Sequence, residues 1–128
     1  LVSKLRNALQ ETADSGRDFL DELSQHGNLE PQGAYFCFLV KEQADGSRFK
    51  PSLTLTEKTV LRFCLPVDES IFMGCVELLT QPSLLTLMQT QSVYLKKLNS
   101  YNRLSLLLYS DILHDVSLLP DALKNLHT

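Results

Sequence analysis

The chain has 128 residues, enough for one ordinary domain and too few for two. Apolar residues make up 44% and charged residues 21%, which excludes disordered, collagenous and low-complexity classes. A net charge of -3 removes the global basic field that nucleic acid or an anionic membrane attracts.

The opening, Leu1-Val2-Ser3-Lys4-Leu5, has no initiator Met and no basic-then-apolar leader, as expected of a domain excised from a larger protein. Residues 2–26 read as one helix. Val2, Leu5, Leu9, Thr12, Gly16, Phe19 and Leu23 step by three and four onto one stripe, with Arg6, Glu11, Asp14, Arg17 and Glu22 opposite. Thr12 and Gly16 weaken the middle of the stripe, where a kink or a close crossing is expected. A loop with Pro31 follows, from Gly27 to Gly33.

Ala34 to Val40 is continuous and apolar, the pattern of a strand covered on both sides. Ala44-Asp45-Gly46-Ser47 is turn chemistry, since Gly46 tolerates a positive φ. The alternation of Phe49, Leu53 and Leu55 against Lys50, Ser52, Thr54 and Thr56 predicts a return strand, and Pro51 makes it an edge or a bulge. Glu57-Lys58 forms the next turn. Thr59 to Leu65 is a third strand, with Leu61, Phe63 and Leu65 inward, Arg62 outward and Pro66 at its end. Residues 71–79 have two readings. Asp68 or Ser70 could cap a short helix, or Ile71, Met73 and Cys75 could alternate in a fourth strand. Gly74 and the surrounding Ile, Phe, Cys and Val are poor helix formers and favour the strand.

After Pro82 the pattern turns helical, with Ser83 as a natural N-cap. Leu87, Tyr94, Leu98, Tyr101, Leu108 and Ile112 fall on one stripe, which Met88, Leu95, Leu104 and Leu107 widen and Gln91 and Ser105 weaken. Lys96, Lys97, Asn99, Ser100 and Arg103 form the wet side. A helix from Ser83 to Leu119 would be about 55 Å long, against a diameter of about 36 Å for a compact chain of this size. It must therefore break, at Ser110-Asp111 and again at Pro120-Asp121. The expected fold is α+β: a small antiparallel sheet of three to four strands, an N-terminal helix and two to three C-terminal helices, in the order α-β-β-β-(β)-α-α.

Catalytic patterns are missing. The chain has no G-x-G-x-x-G, no phosphate loop, no G-x-S-x-G and no H-E-x-x-H. Cys37, Cys64 and Cys75 sit in apolar strand-like runs, which suits buried thiols better than a nucleophile. Their odd number and the lack of an N-glycosylation sequon favour a reducing compartment, cytoplasmic or nuclear. His26, His114 and His127 are far apart and none has metal-ligand spacing. Asp14, Asp18, Asp21 and Glu22 read as a solvated helix face, and Asp68-Glu69 as a loop. Lys96, Lys97 and Arg103 lie near Tyr94 and Tyr101, but the tyrosines fall on the apolar stripe, away from any stacking surface. No run approaches the roughly 18 apolar residues of a membrane span.

What remains is surplus leucine. Around Leu104 to Tyr109 a helix would be apolar almost all round, more than one small sheet can cover. The expected function is therefore a non-enzymatic protein–protein interaction or dimerisation domain of a larger assembly. Its core or partner-binding positions are Leu87, Tyr94, Leu98, Tyr101, Leu104, Leu108 and Ile112, and its partner is another protein or a second copy. No cofactor, metal, nucleic acid, membrane or small-molecule substrate is expected. In element order the chain resembles the RWD-type modules of eukaryotic complexes, without their tyrosine-proline turn, since no Tyr here precedes a Pro. It is also similar in size and opening to the small dimeric secretion chaperones, which bind extended segments along apolar surfaces. A cysteine-dependent enzyme is the third reading.

Overall fold

The computed structural model describes residues 1–10, 13–27, 29–51, 56–79 and 83–128. Four strands form one antiparallel sheet: β1 (Ala34–Glu42), β2 (Thr59–Pro66), β3 (Ile71–Leu78) and β4 (Leu104–Tyr109), in the spatial order β2-β3-β1-β4. Helices α1 (Val2–Gln10), α2 (Ala13–Gly27) and α4 (Leu119–His127) share one apolar core with the sheet, and α3 (Leu84–Tyr101) shares the other. The fold is α+β, and the order along the chain is α-α-β-β-β-α-β-α.

The central strand explains both layers. Successive side chains of β1 point to opposite faces. Tyr35, Cys37 and Leu39 enter the core with Leu5, Leu9, Phe19, Leu23 and Leu123, while Phe36, Phe38 and Val40 meet Leu87, Tyr94 and Leu98 of α3. Two covered faces are what its unbroken apolar run requires. Residues 71–78 form a strand, settling that ambiguity, and pair with β1 from Ala34↔Leu78 to Lys41↔Ile71.

Several expectations are corrected. The single helix over 2–26 is two helices, α1 and α2, and Thr12 lies outside the described residues. An unbroken helix of that length would run about 38 Å, past the ends of nine-residue strands of about 30 Å. Divided, both halves put their stripes into one core. The close crossing expected at Gly16 is present: a Cβ there would lie 2.9 Å from Cβ of Pro120 in the first turn of α4.

Gly46 takes a φ of 88° and the Ser47 amide donates to Asp45 at 2.9 Å, as the turn requires. The return strand is not formed at Phe49 and Lys50, and residues 52–55 lie outside the described residues. Side chains take the place of a ladder there: the Phe49 amide donates to the Glu42 carboxylate and the Lys50 amide to Asn102 Oδ1 at 2.7 Å. Within β2 a bulge between Leu61 and Phe63 sends Leu61 to the α3 core and Phe63 to the other, so they do not share a face. Arg62 does not point out to water. It reaches across to Glu77 of β3, Nε donating at 2.8 Å.

The largest correction is at 104–112. Leu104–Tyr109 is an edge strand against β1, and Ile112 lies in the loop beyond it, so the helical stripe ends inside α3. Asn102, buried, closes α3, its side-chain amide donating to the Leu98 carbonyl at 3.2 Å. Nor does a helix restart at Ser110-Asp111. The Ser110 amide donates to the Cys37 carbonyl at 2.9 Å, and Leu113 bridges Tyr35 through bonds of 2.7 and 2.8 Å. Among the described residues no helix is long and apolar enough to cross a membrane.

Candidate functional site

The expected partner-binding positions divide into two groups. Leu87, Tyr94 and Leu98 are buried under the sheet and belong to the core. Tyr101 is exposed at the end of α3, Leu108 is exposed on β4, and Leu104 and Ile112 are half-buried beside it. Exposed apolar side chains are thus found both on α3, at Leu84, Leu85, Met88, Val93 and Tyr101, and on the sheet edge β4, at Leu106, Leu108 and Tyr109.

Position in the sheet makes this surface. β4 is at the edge, and among the described residues no strand pairs with its outer side. Because the Ser110 amide is bonded to Cys37, the alternation of an antiparallel ladder turns the backbone of Leu106 and Leu108 toward β1. The N–H and C=O groups of Leu107 and Tyr109 therefore face outward, while the β1–β4 register shifts at Ser105, between the pairs Lys41↔Leu106 and Glu42↔Leu104. Exposed edges of natural sheets usually carry charge, proline or a cover. This one reads Leu-Ser-Leu-Leu-Leu-Tyr and has none of these within the strand.

An apolar groove flanks the strand on each face. Toward α3 lies a groove of about 890 Å³, lined by Leu84, Met88, Leu95, Leu107, Tyr109 and Ile112 among others. Toward α4 lies a second of about 440 Å³, where Leu113, Leu118, Ala122 and Leu126 meet Tyr109. Both share Tyr109, Ser110 and Asp111 at their junction. Gln91 of α3 fixes that junction, its side chain donating to the Ser110 carbonyl at 2.9 Å. It had looked like a gap in the helical stripe. Met88, Leu106, Leu107 and Tyr109 complete the surface; only their strand or groove roles escaped the sequence reading, because a leucine run fits a helix equally well.

The chemistry-bearing groups lie elsewhere. Cys37 and Cys75 are buried cross-strand partners on β1 and β3, and both are free thiols, as is Cys64. Burial pushes the Cys64 thiol up to about 12 and holds Cys75 well above its usual value, where the neighbouring Cys37 and Glu77 add to the effect. These shifts disfavour the thiolate a nucleophile needs. Among the described residues no group of His, Cys, Asp and Glu side chains is placed to hold a metal ion. Comparison of this chain with protein-family models, with curated proteins and with solved structures finds no match.

Proposed function

We propose that this chain is a non-enzymatic protein–protein interaction domain that docks a partner by adding a strand to β4. The observation that carries this reading is the bare, uncharged outer edge of β4 between two apolar grooves. An added strand would satisfy the outward backbone groups of Leu107 and Tyr109, and its alternating side chains would enter the groove on either face. The raised Cys64 and Cys75 thiols support a structural use of the cysteines and, with their odd number, a reducing compartment.

The test is a lysine-flanked peptide of alternating valine and leucine, followed by fluorescence anisotropy and amide hydrogen exchange. Peptide binding should slow exchange at Leu107 and Tyr109 and spare the already bonded Leu106 and Leu108. Tyr109→Pro removes an outward donor without touching a bond to β1, so it should abolish binding while circular dichroism is unchanged. Binding that leaves these amides unprotected, or that survives Tyr109→Pro, would refute strand addition.

A further inference from the structure

The sequence around β4 is its own complement. Written from Arg103 to Asp111 it is Arg-Leu-Ser-Leu-Leu-Leu-Tyr-Ser-Asp, with opposite charges at the two ends and Leu107 at the centre. We infer that the strand β4 takes is β4 of a second copy, antiparallel, with Leu107 on the twofold axis. This rests on the strand-addition reading and names its partner.

Three independent features fit that register. First, the backbone groups of Leu107 face outward, and a register centred there pairs Leu107 with Leu107, so that each outward donor meets an outward acceptor. Second, the same register sets Leu106 opposite Leu108. Both are exposed in the single chain, at 41% and 38%, and their apolar surfaces would cover each other across the axis.

Third, Arg103 and Asp111 flank β4 at its two ends, so an antiparallel pairing brings Arg103 of each copy to the end that carries Asp111 of the other, and two ion pairs would close the joined strands. Among the described residues the Arg103 guanidinium meets Asp45 at a long 3.4 Å, with its own side chain 76% exposed, so little holds it back. Asp111 is also exposed. A twofold axis perpendicular to the sheet keeps faces together, so the α3-side grooves of the two copies would run into one. The result is a continuous eight-stranded sheet from two four-stranded ones.

Charge reversal tests the register directly. Sedimentation of the 128-residue chain should show a concentration-dependent monomer–dimer equilibrium. Arg103→Asp and Asp111→Arg each place like charges at both ends and should weaken the dimer about tenfold. Combined in one chain they restore opposite pairing, and the dissociation constant should return to within about threefold of the original. Both positions are exposed, so folding is not at stake, and circular dichroism checks it.

A chain that stays monomeric overturns this inference, as does a dimer that is indifferent to the single reversals or not restored by the double one. The peptide experiment then separates the two proposals. A monomer that binds the valine–leucine peptide at β4 retains strand addition and loses only the second copy as its partner. A monomer that binds no peptide loses both.

Discussion

Arg62 and Glu77 form the ion pair deepest in the molecule, with side chains 22% and 9% exposed. Glu77 stands beside Tyr35 across the β1–β3 ladder, and the Tyr35 hydroxyl is itself engaged by the backbone of Glu30 at 2.9 Å. Arg62 is the extra residue of the β2 bulge, between Leu61 in the α3 core and Phe63 in the other, on the face that Glu77 shares with Tyr35. A carboxylate this covered needs its cation, since removing one partner of a buried pair strands the other. Arg62→Ala should therefore destabilise the fold by about 3 kcal/mol, and Glu77→Gln in that background should recover a substantial part. Urea denaturation of the single and double variants measures both. An Arg62→Ala loss within about 0.5 kcal/mol of zero would mean the pair is solvated and structurally idle.

At the scale of elements, β4 depends on what holds its ends. Asn102 stops α3, and Ser110 ties the far end to Cys37 while its carbonyl accepts from Gln91. Gln91→Ala leaves the Ser110 carbonyl without that donor at a half-buried position and should cost about 1 kcal/mol. Amide exchange should quicken at Leu108 and Ser110 before it does at Val76. Uniform acceleration across the sheet would show that Gln91 supports the whole fold and not this junction. The same elements show what was legible beforehand. β1 and β2 announce themselves by β-branched and aromatic runs between turn residues, β3 is open between strand and helix, and the α3 stripe is read correctly as far as Leu98. Leu104–Tyr109 is different in kind: leucine favours helix locally, and only the vacant side of β1 makes it a strand. The open edge depends on sheet order, which no local pattern in the chain encodes. Its leucine surplus did signal exposed apolar surface, which is divided between α3 and β4.

For the whole molecule, the thiols couple stability to pH. Cys64, at about 12, and Cys75, held well above the usual value, keep their protons in the folded state past the point where an unfolded thiol, near 9, releases them. The unfolded chain then binds fewer protons than the native one, so stability falls as pH rises through this window. Below about pH 8 the contribution of these groups is fully present, and above 9 it is lost at roughly 1.4 kcal/mol per pH unit for each thiol. Between pH 8 and pH 10 the two together should remove on the order of 2–3 kcal/mol. Tyr35, raised by its burial and by the charge on Glu77, adds in the same direction at still higher pH. Urea midpoints taken across that range under reducing conditions should shift downward, and Cys64→Ser should remove close to half of the slope. Alkylation tracks the same cause: near neutrality labelling of Cys64 and Cys75 should be slow in buffer and become fast only with denaturant. Midpoints that hold level to pH 10 would mean these thiols ionise in the native state, and the reading of the cysteines as buried structural groups would fall with them.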